Sequence, residues 1–107
     1  MNSSERKAEL AAQKLDKIAW THIEENEDRE SFEKELHLEV GTGHVLFGKN
    51  VVAVARSTYQ DDVLFLIDEA DFPYVVVHLT YNLHPEPVPW PTARLYRNIQ
   101  DFLEDFT

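Results

Sequence analysis

Four polar residues at the ends of predicted strands are the strongest candidates for chemistry in this sequence. Arg56 ends one β-branched run, Asp62 begins the next, and His78 and Thr80 end a third. Opposite charges on neighbouring strands attract each other, and a nearby histidine could act as an acid or a base. Two interpretations stay open: an enzyme or ligand site built on these residues, or a cross-strand ion pair beside a half-buried histidine. No catalytic residue is assigned.

The position of these four residues depends on three predicted strands over 51–56, 62–67 and 74–80. The links between them are short, which requires antiparallel hairpins, since a parallel crossover takes a dozen or more residues. If the two turns centre on Tyr59 and Asp71, Arg56 lies opposite Asp62, Asp62 opposite Thr80, and Leu64 opposite His78 and Val54. A fourth strand over 36–40 or 44–47 would extend this meander.

The assumed register gives the sheet one wholly apolar face and a second face that is apolar only at its centre. A face open to solvent would be polar throughout, so something should cover that centre. Either each of two amphipathic helices covers one face, or both pack on one face and a partner or a second copy (a homodimer) covers the other. The predicted core face carries Val51, Ala53, Ala55, Val63, Phe65, Ile67, Val75, Val77 and Leu79.

The fold class predicted from these patterns is α+β, in one domain spanning 1–107. Apolar residues at three- and four-residue steps predict a long first helix over 4–24, and Phe32 with Leu36 predicts a short second helix over 29–37. Within this domain, residues 1–27 are assigned to the N-terminal helix and an acidic connection, and 36–81 to the sheet region. Residues 82–91 are assigned to a proline-rich loop and 92–107 to the C-terminal helix.

The proline-rich loop contains an aromatic group of residues that could bind a partner. Trp90 stands between Pro89 and Pro91, and Tyr81 and Glu86 lie nearby in the sequence. Tryptophan contributes strongly to binding energy when it is an exposed anchor. The alternative is that Trp90 folds back and caps the core.

Composition limits the classes of partner. The 107 residues carry 10 Lys+Arg against 20 Asp+Glu, a net charge of −10, and there is no basic block. Binding to nucleic acid or to an anionic membrane is therefore not expected, whereas a basic protein would be attracted. The acid is concentrated in two blocks, at 24–39 with eight acids against two bases and at 61–72 with five acids.

Cofactor and compartment follow from what the sequence lacks. There is no cysteine, and none of the five histidines pairs at the short spacings typical of zinc ligands. We therefore expect neither a metal nor a cofactor. No secretory signal or membrane span is visible, so a cytoplasmic location is expected.

A run of short motifs resembles a family of small uncharacterised bacterial proteins with the pattern GHPLYG…AR…DDVLF…VVHLTW…PWP. The resemblance covers residues 43–100, with Val45 in place of proline and Tyr81 in place of tryptophan. It implies a bacterial origin and implies that Arg56, Asp62 and His78, together with Thr80, belong to one pattern. The matching text is GHVLFGK at 43–49, AR at 55–56, DDVLF at 61–65, VVHLTY at 76–81 and PWP at 89–91.

The function expected from these observations is a non-enzymatic, acidic protein-interaction module of the inhibitor or immunity type. Its support is the negative charge, the small size and the lack of a catalytic signature. The alternative is a small hydrolase or a small-ligand-binding domain that uses Arg56, Asp62, His78 and Thr80. A flat acidic surface with a buried His78 would favour the first, and a deep pocket converging on those residues would favour the second.

Overall fold

The computed structural model describes residues 19–68 and 71–106, which form an α+β fold with a five-stranded antiparallel sheet and two helices. The fold class is as predicted, but the sheet has more strands than the expected three or four. Within the described residues, no helix is both long enough and apolar enough to cross a membrane. The elements are β1 (Trp20–His22), α1 (Asn26–Glu39), β2 (Val51–Ser57), β3 (Asp62–Ile67), β4 (Tyr74–His78), β5 (Ala93–Tyr96) and α2 (Ile99–Asp105).

The three central strands, β2 to β4, are the meander that the sequence predicted. The strands lie in the order β1-β2-β3-β4-β5, so every neighbour in the sheet is also the next strand in the chain. The middle strands consist largely of β-branched and other apolar residues, and most of their side chains are buried. Continuous apolar runs of this kind are typical of strands that are covered on both faces.

In the described part of the chain, each face of the sheet is covered by one helix, but one of the two is the helix that begins at Asn26 rather than the long helix predicted over 4–24. On one face, called here the α1 face, Leu36 and Val40 pack with Phe65. On the opposite α2 face, Phe102 packs with Trp20 and Tyr96, with ring centroids 5.2 and 5.7 Å apart and nearly perpendicular rings. Edge-to-face contacts of this kind add to the energy of burial. The chain's own α2 therefore covers the face for which a second copy was the alternative.

A β-bulge in β2 changes the first predicted register. Val51 to Ala53 pair with Ile67 to Phe65 as assumed, but Ala55 then pairs with Leu64, so the partners shift by one residue at Val54. A bulge of this kind reverses the side-chain alternation beyond it. Ala55, predicted on the core face with Ala53, therefore packs on the α2 face.

The second hairpin is displaced by two residues from the assumed register. Asp62 pairs with His78 rather than Thr80, and Leu64 pairs with Val76 rather than His78. Because side chains alternate with a period of two, this displacement leaves every β4 side chain on the predicted face. The turn closes with a hydrogen bond from the Ile67 N–H to the Pro73 carbonyl, 2.7 Å long.

The predicted first helix over 4–24 is wrong at its C-terminal end. Residues 1–18 lie outside the described part of the chain, whereas Trp20–His22 form β1, paired with Ser57 to Ala55. The Ile23 N–H donates to the Val54 carbonyl at 3.0 Å, which extends the pairing along β2. Trp20 gains burial against Phe102, so tertiary packing outweighs the helical spacing of the sequence.

Helix α1 is longer than the predicted 29–37, since it includes the end of the acidic connection expected within 1–27 and most of the alternative strand at 36–40. It begins at Asn26, since charged residues are good helix formers and Glu27 and Asp28 are favourable at a helix N-terminus. The helix continues through Glu39, so residues 36–40 do not form a strand. Residues 41–48 form consecutive turns, which excludes the alternative strand at 44–47.

The predicted C-terminal helix over 92–107 divides into a strand and a shorter helix. Ala93 to Tyr96 pair with Val77 to Tyr74, which places β5 at the edge of the sheet. Asn98 then caps α2, with its side-chain Oδ1 accepting the Asp101 N–H at 2.9 Å. A helix that begins at 92 is therefore wrong, and Phe102 is the fully buried residue of the shorter helix.

The outer edge of β2 is covered by a helix side chain where β1 no longer reaches it. β1 pairs only with residues 55–57. Beyond that pairing, the Ala53 N–H donates to Glu33 Oε2 at 2.9 Å. The Glu33 carboxylate thus takes the place of a strand partner for this N–H. Partial burial raises the pKa of Glu33 above its ordinary value, and the Ala53 hydrogen bond acts in the opposite direction.

Phe102 is expected to contribute more to the stability of the fold than any exposed aromatic residue. Its side chain is 0% exposed and joins α2 to the sheet. Phe102→Ala should therefore lower the free energy of unfolding by about 3–5 kcal/mol, the range for large-to-small changes at buried aromatics. Urea unfolding measures this loss. Tyr59→Ala is the control, since Tyr59 is 84% exposed; equal losses in the two variants would contradict the assignment.

Candidate functional site

Asp62 and His78 are the two members of the predicted polar cluster that the structure brings into contact. They occupy paired positions on β3 and β4, and Asp62 Oδ1 lies 2.7 Å from His78 Nδ1. This distance corresponds to a strong, charge-assisted hydrogen bond. The His78 side chain is about half exposed, and the Asp62 side chain is 19% exposed. The pair lies on the α2 face, at the end of the strands.

A shallow groove of about 320 Å³ lies beside this pair, lined also by Thr92, Arg94 and Phe106. Arg94 Nη1 donates to Asp105 Oδ2 at 2.7 Å, and the Tyr96 hydroxyl donates to the same oxygen at 2.6 Å. These two donors lower the pKa of Asp105, whereas burial and the Asp105 hydrogen bond raise the pKa of Tyr96 to about 12. The groove therefore has an aspartate–histidine pair on one side and a partnered arginine on another.

Arg56 and Thr80 are not part of that groove. The bulge in β2 turns Arg56 to the α1 face, where its guanidinium lies 5.9 Å from the centre of the Phe32 ring. Thr80 follows the end of β4, and its hydroxyl donates to Glu86 Oε1 at 2.9 Å. The structure thus separates the predicted four-residue cluster into an Asp62–His78 pair and two residues with other partners.

A pair of buried glutamates on α1 forms a second site, which the sequence analysis missed. Glu39 is 0% exposed, and its two oxygens accept the backbone N–H groups of Thr80 and Tyr81 at 2.8 and 3.0 Å. Glu35, one helical turn earlier, is 7% exposed, and its Oε2 has no hydrogen-bond partner. The pKa of Glu35 is raised to about 7 by burial, by a hydrogen bond with the Glu39 carboxyl and by the charge of Glu39. A hydrogen bond from the Leu83 backbone N–H acts in the opposite direction and lowers it.

The glutamate pair was hidden by composition. The acids at 24–39 form one charged block in the sequence, and composition alone does not distinguish its exposed members from its buried ones. Phe32, Leu36 and Val40 mark the apolar stripe of α1, and Glu35 and Glu39 share the same helical spacing. The position of acids within an apolar stripe was therefore the signal that would have identified them.

The candidate partner-binding residues lie on a surface formed by two loops. This loop surface comprises the exposed apolar side chains of 41–48 and 81–91. Glu86 differs from the others, since its Oε1 accepts from both Thr80 and Asn82, which lowers its pKa. The exposed members are Val45, Phe47, Tyr81, Leu83, Val88 and Trp90, the last with 48% of its surface exposed.

His44 fastens the two loops together. It is buried; its Nε2 donates to the Pro91 carbonyl at 2.7 Å, and its Nδ1 accepts the Leu46 N–H at 3.0 Å. Gly43 of one loop faces Val88 of the other, since a Cβ added at Gly43 would meet Val88 Cγ2 at an ordinary contact distance of 3.7 Å. An apolar groove of about 340 Å³, lined by Val45, Val88 and their neighbours, runs between the loops. Residues 43–46 and 88–91 of the loop surface are thus held together before any partner binds.

Comparison with known proteins supplies no assignment for either site. No protein-family model, no curated protein and no solved structure matches this chain. The resemblance to the small bacterial family therefore stays a prediction. Among residues 19–68 and 71–106, no group of three or more His, Asp or Glu side chains could hold a metal ion.

The raised pKa of Glu35 predicts how stability changes with pH. The pKa is about 7 in the folded protein against 4.5 for an ordinary glutamate, so the neutral carboxyl is favoured in the fold. Its stabilising contribution is fully present below pH 4.5 and is lost as the pH rises through about 7. The difference between the two values corresponds to about 3 kcal/mol of unfolding free energy.

Glu35→Gln should remove this contribution, because the amide stays neutral at every pH. Urea unfolding between about pH 4 and about pH 8.5 should show the wild-type protein losing about 3 kcal/mol relative to the variant. Glu27→Gln, at an exposed position on the same helix, should parallel the wild type. Parallel pH curves for the wild type and Glu35→Gln would contradict the prediction.

Proposed function

We propose that the chain is an acidic, non-enzymatic interaction module that binds a basic protein through the loop surface. The observation that carries this proposal is the set of exposed apolar side chains on two loops that His44 fastens together. Isolated exposed apolar residues are ordinary, but a preformed apolar surface with an aromatic residue is typical of interaction sites. A cytoplasmic location and a bacterial source are part of the same proposal.

The charge of the chain favours a basic partner over a second copy. At a net charge of −10, two copies repel each other, whereas a basic protein is attracted over several ångströms before contact. Five acids near the start of α1 are exposed and available for such steering. They are Glu24, Glu25, Glu27, Asp28 and Glu30.

Trp90 is the proposed anchor of the interface. It follows a tight turn in which its N–H donates to the Pro87 carbonyl at 2.9 Å, and it stands between two prolines. Few rotatable bonds are therefore left to be fixed on binding, which keeps the entropic cost of the contact low. Val88 and Val45 supply the adjoining apolar groove.

Site-specific photo-crosslinking tests the proposal in the native lysate. A photoreactive amino acid at position 88 should capture a basic protein, whereas the same group at the exposed Tyr59 position, in the β2–β3 turn, should not. The captured protein, once purified, should bind the wild-type chain with an affinity that falls in about 0.5 M salt, because screening weakens the charge attraction. Trp90→Ala should weaken binding by at least about tenfold, and Tyr59→Ala should leave it unchanged.

Two results would overturn the proposal. One is the same set of crosslinked proteins from positions 88 and 59. The other is a captured protein whose affinity for the chain is unaffected by Trp90→Ala and by salt. Far-UV circular dichroism of each variant confirms that the fold is retained in these comparisons.

A second candidate function is the binding of a small ligand in the groove beside His78. The contact of 2.7 Å between Asp62 Oδ1 and His78 Nδ1 favours this function, because it occupies one ring nitrogen and leaves His78 Nε2 available at the groove. Arg94 lines the same groove. A neutral or positively charged imidazole beside an arginine fits a small carboxylate or phosphate. The groove is open and shallow, which supports ligand binding better than hydrolysis.

Inorganic phosphate and acetate are suitable probes for this second candidate. Titration of either, followed by NMR of the His78 and Arg94 side chains, should give saturable shifts that His78→Ala abolishes. His84→Ala is the matched control, since His84 is exposed on the proline-rich loop. Shifts that grow linearly with probe concentration, or persist in His78→Ala, would reject the site.

A further inference from the structure

The segment 80–86 is attached to α1 almost entirely through the two buried glutamates. The Thr80 and Tyr81 N–H groups both donate to the Glu39 carboxylate, and the Leu83 N–H acts on Glu35. At the far end of the segment, the Glu86 N–H donates to the Glu39 backbone carbonyl at 2.8 Å. The carboxyl groups thus hold residues 80–83, and a backbone bond fixes the segment at Glu86.

Two residues of this segment have a backbone conformation that is unfavourable for their type. Tyr81 has a φ of 58° and Leu83 a φ of 63°, both in the left-handed region. Non-glycine residues adopt this region at a cost and keep it only when surrounding contacts enforce it. Release of the carboxyl contacts would therefore let the segment relax to a more favourable conformation.

The buried glutamate pair lacks the contacts that would stabilise two negative charges. Both Glu39 oxygens already serve as acceptors for the segment, and the 93% buried Glu35 side chain has one unpartnered oxygen, Oε2. Two adjacent carboxylates cannot both ionise cheaply in a buried site. A single proton held by Glu35 removes the repulsion, in the way that coupled carboxyl pairs share a proton.

The charged groups around Tyr81, whose N–H Glu39 holds, are more negative than positive. Tyr81 lies within electrostatic range of Asp61 in the turn before β3, of Arg56 in β2, and of both glutamates on α1. Burial is the largest cause that raises the pKa of Tyr81, and the three acids raise it further. Arg56 is the cation among them, and its guanidinium rests over Phe32.

Within the segment itself, the charged groups are Glu86 and His84. Glu86 is held by Asn82 and Thr80, and those hydrogen bonds, more than the charge of His84, lower its pKa. Glu86 therefore carries a negative charge within the segment under neutral conditions. Loss of the Glu35 proton would bring together three carboxylates around one short segment.

We propose that Glu35 and Glu39 form a proton-operated latch, in which the proton on Glu35 holds segment 80–86 against α1 and its loss releases the segment. Tyr81 and Leu83, which belong to the loop surface, move when the latch opens. The latch is a property of the free protein and does not depend on the proposed partner. Opening occurs on the alkaline side, since the group is neutral when the segment is held.

Amide hydrogen exchange on the intact, partner-free protein tests the latch. After correction for intrinsic exchange rates, the protection of the Thr80 and Tyr81 amides should fall about tenfold between about pH 6 and about pH 8.5, as expected for a carboxyl whose pKa drops from about 7 to 4.5 on opening. Protection of the Val77 amide, in the centre of the sheet, should stay constant.

Three substitutions separate the latch from a merely structural role. Glu35→Gln should keep the segment protected at every pH, because its side chain cannot ionise. Glu39→Gln should reduce protection of Thr80 and Tyr81 at every pH, because an amide has a single acceptor oxygen for two N–H groups. Glu27→Gln, on the exposed side of α1, should retain the wild-type pH dependence.

Two results would overturn the latch. One is protection of the Thr80 and Tyr81 amides that does not change with pH in the wild type; the other is an unaltered pH dependence in Glu35→Gln. Direct NMR titration of the Glu35 carboxyl carbon in the wild type gives a second test that needs no variant. A midpoint near pH 4.5, with no matching change at the Thr80 amide, would also reject the proposal.

Discussion

The extra residue at the β2 bulge governs which side chains of this protein can meet. Before Val54 the β2–β3 hairpin keeps the register that its sequence pattern favours; after it, Ala55 faces α2 and Arg56 faces α1. Without the bulge, Arg56 would stand opposite Asp62. With it, the arginine rests on a phenylalanine ring of the helix, and the aspartate is left to pair with His78. One inserted residue thus removes Arg56 from the position opposite Asp62, while the separate β3–β4 register places Asp62 opposite His78 beside the open groove.

Helix α1 combines apolar packing with an unusual use of acids. Leu36 and Val40 supply the contacts that cover the sheet, while Glu33, Glu35 and Glu39 supply acceptors for backbone groups that have no strand or helix partner. A buried carboxylate is costly unless it is hydrogen-bonded. Glu39 meets that condition with two N–H donors, whereas Glu35 meets it only in part, and this difference explains why their surroundings favour one proton.

The existence of the three central strands was predictable from the sequence, and the full register of their pairing was not. The β-branched runs of β2, β3 and β4 and the turns between them determined the meander, since short links permit only hairpins. The bulge at Val54 leaves no mark in hydrophobic alternation, because all residues from Val51 to Ala55 are apolar. The two-residue displacement at β4 was equally invisible, since it preserves the faces. The predicted site failed at these two points, although each of its residues was correctly placed near a strand end.

The remaining errors come from contacts that are distant in sequence. Trp20–His22 and Ala93–Tyr96 have apolar spacing compatible with helices, but each becomes a strand because an edge of the sheet is available to it. In both places the gain is aromatic packing on the α2 face, with Trp20 and Tyr96 on either side of Phe102. The acids of α1 were misjudged for the same reason: composition gives their number, and only the fold shows which of them are buried.

The short outer strands and the Glu33 contact have a consequence for self-association. The central strands carry runs such as VLFLI in β3 and YVVV in β4, which would pair readily with other chains if an edge were open. The edge strands are short, with three residues in β1 and four in β5, and β5 carries the exposed Arg94. Beyond the end of β1, the Glu33 carboxylate accepts the hydrogen bond of the Ala53 N–H. Short, charged or covered edges are the means by which sheets avoid adding strands from a neighbour. The edge strands of this sheet therefore protect central strands that are strongly prone to aggregation. A substitution at an edge would lower the solubility of the protein before it lowered the stability of the fold.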